Sequence, residues 1–135
     1  MTPEEQRARA QLMVWWTIWF GLISGLCVIY FILGRGQPLA TAPNPLTNLI
    51  GLVPLFLSIV IRWLVLPRYT DRQRAFVMFI VGLALAEGCG LLGIFLGGPY
   101  RDDLFLLGVL GLAQFVPFFA GKFRNPPPTG FIPDN

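Results

Sequence analysis

The chain has 135 residues, 55% of them hydrophobic, and its 15 glycines bring the apolar share to about two-thirds, where soluble proteins average about half. Only 13% are charged, too few to cover the third or so of its surface that a water-soluble domain of this size leaves in solvent, so an aqueous monomer is excluded. The net charge of +3 resides in short basic groups between apolar runs, with no basic face interleaved with aromatics, so the expected partner is a lipid bilayer and not nucleic acid.

Residues 1–10 form a short N-terminal segment carrying Arg7 and Arg9. Residues 11–34 contain no charge, and a bilayer core needs about 20 helical residues, so this run crosses. At about 100° per residue, Thr17, Gly21, Ser24 and Gly25 fall on one narrow face of it. The loop that follows is rich in Pro, Thr and Ala and includes Ala40-Thr41-Ala42, the small-residue pattern of a signal cleavage site. The preceding run is far longer than the core of about 7–15 residues in a cleavable signal, and Glu4 and Glu5 spoil the basic leader, so an uncleaved first helix is expected.

The second run, 46–66, has one charge, Arg62, near its end and a proline, Pro54, that predicts a kink. Thr47, Gly51, Ser58 and Arg62 share its polar side. Arg62 either snorkels to the interface or has a partner inside the protein. The third run, 75–97, holds a stripe of small residues, Ala75, Gly82, Ala86, Gly90, Gly93 and Gly97. Small faces let membrane helices approach closely, so the first and third helices are expected to pack through Gly21, Ser24 and Gly25 on one and Gly82, Ala86, Gly90 and Gly93 on the other, within or between protomers. The fourth run, 104–121, is uncharged but contains Gln114 and Pro117; residues 122–135 form a Pro-rich tail.

The fold expected is all-α, one polytopic domain of four transmembrane helices over 11–121. Lys and Arg fix its orientation, because they stay on the cytoplasmic side. Arg7, Arg9, Arg68, Arg72, Arg74, Lys122 and Arg124 lie in three alternate connections, against Arg35 and Arg101 on the other side. Both termini are therefore expected in the cytoplasm, in a bacterial inner membrane. Trp15, Trp16, Trp19 and Trp63 gather toward the same side, as an interfacial aromatic belt would.

Histidine is absent, and Cys27 and Cys89 sit inside apolar runs without an acidic or cysteine neighbour at ligand spacing. No catalytic triad, metal site, disulfide framework or cofactor is expected, and the chain does not read as an enzyme. What needs explaining is Glu87. At about 1.5 Å per residue it lies roughly 18 Å along a helix that crosses about 30 Å, close to the midplane. A charged carboxylate there costs about 3 kcal/mol or more, so the neutral form is expected unless a cation or water is near. Such a group marks a proton or ion path, or it hydrogen-bonds to Gln114, a serine or a carbonyl and holds helices together. Gln114 lies about midway along the fourth run, and Arg62 is offset from Glu87 by roughly 9 Å along the membrane normal. The candidate ion or proton site is Glu87, Gln114 and Arg62.

RYTDRQR at 68–74, followed by IVGLALAEGCGLLG at 80–93, resembles the polar loop and carboxylate helix of the rotor-ring proteolipid, the c subunit of rotary ATP synthases. The resemblance covers residues 68–97. It implies that Glu87 carries a coupling proton or sodium ion. The family's partner helix is a ladder of glycines, whereas the second run here has only Gly51 and interposes Pro54 and Arg62, so a rotor subunit is not implied. A faint internal repeat aligns Arg7–Met13 with Arg72–Met78 and Gly25 with Gly90, which suggests duplicated hairpins of the same orientation. The function expected is a self-associating membrane protein with a protonatable mid-membrane site, or an accessory subunit of a larger membrane complex.

Overall fold

The computed structural model describes residues 2–36 and 45–123 and is helical, with no strand among the described residues. The loop with Ala40-Thr41-Ala42 and the Pro-rich tail from Arg124 lie outside them.

Helix α1 spans Pro3–Ile29 and continues through a wider, π-type turn at Tyr30–Gly34. It starts well before the apolar run. Thr2 Oγ1 accepts from the Glu5 amide while Glu5 Oε2 accepts from the Thr2 amide, and Pro3 supplies a first-turn residue that needs no N–H partner. From Pro3 on, the N-terminal segment forms the first turns of α1, and the sequence Thr-Pro-Glu-Glu carries the signature of that start.

The second run is not one helix. A short α2, Pro45–Asn48, is followed by a turn and then by α3, Leu52–Val60, which runs on through a π-type turn at Ile61–Val65 and a 3₁₀ turn at Leu66–Arg68. The break precedes Pro54, which lies in the first turn of α3 where its missing N–H costs nothing, so it does not kink a continuous helix. Gly51 in the break is buried because the chain passes close to its neighbour; a Cβ there would lie 3.2 Å from the Cys89 carbonyl oxygen.

Helix α4, Arg72–Leu96, is the centre of the molecule and touches every other helix. Asp71 caps it, accepting from the Gln73 and Arg74 amides. A tight connection through Gly98, whose φ of 51° suits only glycine without strain, leads to α5, Arg101–Ala113. After a turn at Gln114 the chain finishes as a 3₁₀ segment, Pro117–Phe123. Among the described residues, three helical segments are long and apolar enough to cross a membrane: Pro3–Gly34, Arg72–Leu96 and Gly98–Phe123. The described residues are all-helical, and the length and composition of those segments are compatible with a membrane protein.

The small stripe of α4 is used as the sequence suggested, though not against the small face of α1. A Cβ on Gly108 would lie 2.7 Å from the Gly90 Cα and N, so α4 and α5 meet backbone to backbone there. Gly93 receives Leu104, Gly82 receives Phe115, and Gly111 lies on Ala86. Helix α1 presents Leu26 to Gly90. A Cβ on Gly21 or Gly25 would meet no atom within 4 Å beyond its own stretch of α1, and Thr17 and Gly21 are exposed. Ser24 is half-buried. The face with Thr17, Gly21 and Ser24 points almost opposite the line Trp15, Trp19, Leu22 and Leu26 that meets the core. A large aliphatic knob over a glycine fills the space between helices better than glycine on glycine, which would leave α1 with little to bury. The aligned glycines of the faint repeat therefore occupy different environments: Gly25 open, Gly90 covered.

The tryptophans do not form a simple belt. Trp15 is 3% exposed and packs among Phe76, Phe79, Phe119 and Phe123, with ring centroids 4.8–6.2 Å away. This aromatic cluster fills the end of the bundle where α1, α4 and the last 3₁₀ segment converge. Trp63 is 60% exposed, and Trp16 only 38%. At the other end, Tyr30 stacks on Phe105 at 3.8 Å and donates to Asp102 Oδ1 at 2.8 Å, tying the end of α1 to the start of α5.

Candidate functional site

Two of the three candidate polar residues meet, and the third stands apart. The meeting point is a helix break. Pro117 has no N–H and its ring opposes a continuing helix, so α5 stops at Ala113 and the carbonyls at the break lose their regular helical donors; those of Leu112 and Ala113 accept instead from the Phe115 and Val116 amides, at 3.0 and 3.1 Å. In hydrocarbon, with no water to replace them, such carbonyls need protein donors.

They have them. Trp19 Nε1 donates to the Leu112 carbonyl at 2.8 Å, and Arg62 Nε donates to the Gln114 carbonyl at 2.7 Å. The π-type turn at Ile61–Val65 sets the register from which Arg62 projects toward α5. Its guanidinium is sandwiched, 4.7 Å from the Phe119 ring centroid and 4.9 Å from that of Trp63. Arg is suited to this role because its plane can stack on rings while its edge donates. Of the two readings of Arg62, snorkelling and an internal partner, the internal partner is realised.

The Gln114 side chain is equally committed. Its Oε1 accepts from Trp63 Nε1 at 3.1 Å and its Nε2 donates to the fully buried Ser58 Oγ at 3.3 Å. Ser58, Arg62 and Trp63 come from α3 and its continuation, Gln114 from the end of α5. The cluster joins the broken second segment to the broken last one. Serine and the two tryptophans were legible as polar or interfacial residues, but their part in capping was not, because it requires knowing that α5 stops at Ala113.

The expected hydrogen bond between Gln114 and Glu87 is not formed; the Gln114 amide bonds Trp63 and Ser58 instead. Glu87 is half-buried, and no hydrogen bond or ion pair joins it to any described residue. The α3 side of α4 is marked by Cys89 and Leu92 against Gly51, and the α1 side by Gly90 and Ile94 against Leu26 and Gly34. Glu87 lies about 20° from Ile94 at 100° per residue, at the edge of the buried arc and away from the α3 side that carries Arg62.

Cys89 is buried, and its thiol donates to the Leu104 carbonyl at 3.7 Å; Cys27 is half-buried and free. No group of three or more Cys, Asp or Glu able to hold a metal ion occurs among the described residues. Comparison with protein-family models, with curated proteins and with solved structures found no match.

Proposed function

We propose that this chain is a small non-enzymatic protein of the bacterial inner membrane that self-associates, placing Glu87 at a contact between copies where it takes up and releases a proton or cation. The observation that carries the reading is the isolation of Glu87. A carboxyl at mid-membrane depth that finds no partner in its own chain is stabilised by one from outside it, a second copy or bound water. Arg62 and Gln114, engaged at the helix break, are assigned to holding the fold and leave the ion site. One copy supplies too few polar side chains to line a path, so conduction requires an oligomer. The partial resemblance of 68–97 to a carboxylate helix of rotary proteolipids supports a protonatable role for Glu87. Four crossings with both termini cytoplasmic fit the Lys and Arg distribution, the broken segment from Pro45 to Arg68 supplying the second crossing.

A second reading, an accessory subunit docking on a larger membrane complex, is favoured by the outward face of α1, where Thr17 and Gly21 are exposed and a Cβ on Gly21 would point into open space. Glu87→Gln and the wild type, reconstituted in liposomes and compared for oligomer size and for proton or cation flux, separate the two. Flux lost with the oligomer intact supports the ion-handling reading. No flux in the wild type, together with stoichiometric recovery of a larger partner from native membranes, replaces it by the accessory one.

A further inference from the structure

We propose that the groove between α1 and the start of α4 binds the phosphodiester headgroup of an anionic phospholipid, with Arg72 as its cation. A cavity of about 340 Å³ opens there. Its apolar wall is Val14, Trp15 and Phe76, and its polar rim is Gln11, Arg72 and Gln73. Gln11 opens the uncharged run of α1 and Arg72 stands just ahead of the apolar run of α4, so the cavity straddles the boundary between polar and apolar surface on both helices at once. That is the depth at which a headgroup meets its acyl chains.

Arg72 is half-buried, and no hydrogen bond or ion pair joins it to any described residue. Asp71 also lines the cavity, but its carboxylate accepts from the Gln73 and Arg74 amides and lies 3.8 Å from Arg74 Nε. The adjoining chain is basic: Arg68 ends α3's continuation, Arg74 follows, and Lys122 reaches back to donate to the Tyr69 carbonyl at 3.3 Å. A guanidinium matches a phosphodiester's two free oxygens, while glutamine amides suit a glycerol headgroup. Val14, 47% exposed, and Phe76 offer the first length of acyl chain a surface. A free phosphate would use the rim and leave that wall idle. Basic pockets between helices at a membrane surface hold anionic lipids by this division of labour. The inference rests on the membrane reading alone and is independent of Glu87 and of self-association.

The test uses the full chain in detergent, titrated with phosphatidylglycerol, phosphatidylcholine or inorganic phosphate, and read by native mass spectrometry and thermal unfolding. Phosphatidylglycerol is expected to bind saturably and raise Tm. Arg72→Gln should weaken it about five- to tenfold. Val14→Trp, which fills the groove and leaves the charge, should weaken it too, whereas Arg9→Gln should not. Equal binding of phosphatidylcholine, an equal effect of phosphate alone, or a loss in Arg9→Gln matching that in Arg72→Gln would overturn the proposal.

Discussion

Replacing Gly108 by Ala puts a methyl group where α5 and α4 touch. Its position would be 2.7 Å from both the Cα and N of Gly90 and 3.3 Å from the Ala86 carbonyl oxygen. Ordinary carbon contacts lie at about 3.5–4.0 Å, so the helices must separate by roughly 1 Å. The obstructing atoms are backbone, and no rotamer change relieves them. Overpacking of this kind costs about 1–3 kcal/mol, and the gain in helix propensity from Gly to Ala returns at most about 1 kcal/mol. The expected net loss is about 1–2 kcal/mol, because α4 against α5 is the most extensive contact in the molecule. Gly21→Ala is the matched control: the same change in a helix interior, where the added Cβ would meet no neighbouring element within 4 Å, expected to be neutral or stabilising by up to about 1 kcal/mol. Both are measured by equilibrium unfolding in mixed micelles, with helicity as the signal. Equal effects at the two positions, or a stabilised Gly108→Ala, would refute the backbone contact.

The capping role of Arg62 predicts a thermodynamic coupling. Arg62→Leu leaves the Gln114 carbonyl without its donor, a loss of about 1–3 kcal/mol, and Pro117→Ala, which lets α5 continue and supply a backbone donor, should offset it. A double-mutant cycle should therefore show a coupling of about 1 kcal/mol or more, and additivity within about 0.5 kcal/mol would remove the explanation. Orientation has a chemical check: a single cysteine introduced within residues 68–74 should resist an impermeant thiol reagent applied from outside intact cells, and labelling there would reverse the topology.

Length, charge and periodicity carried the all-helical class, the apolar segments, and the small stripe of α4 that proves to be the hub. Those features are one-dimensional: the number of apolar residues needed to cross a bilayer and the 100° advance of a helix are the same in any context. The early start of α1 was equally local and legible in Thr2, Pro3 and Glu5. The break before α3 was less so. Pro54 signalled an interruption, but whether it kinks a helix or opens one depends on where the preceding turn falls.

Which face of each helix meets protein was beyond the sequence. In water the buried face is the apolar one; in a chain whose helices are apolar on every side, polarity does not distinguish protein from lipid. The small face of α1 therefore looked like a packing surface until Leu26 was seen to fill the space over Gly90 and turn Gly21 outward. The pairing of polar residues was hidden for a related reason. Arg62 and Gln114 are 52 residues apart, and their meeting depends on a carbonyl freed where α5 stops, a vacancy that exists only once the chain is folded. Among the few charges of this chain, Arg62 and Glu87 are the ones within apolar runs. Tertiary structure gave them opposite parts, Arg62 satisfied by backbone and aromatic rings, Glu87 set at the edge of the buried arc with no partner among the described residues.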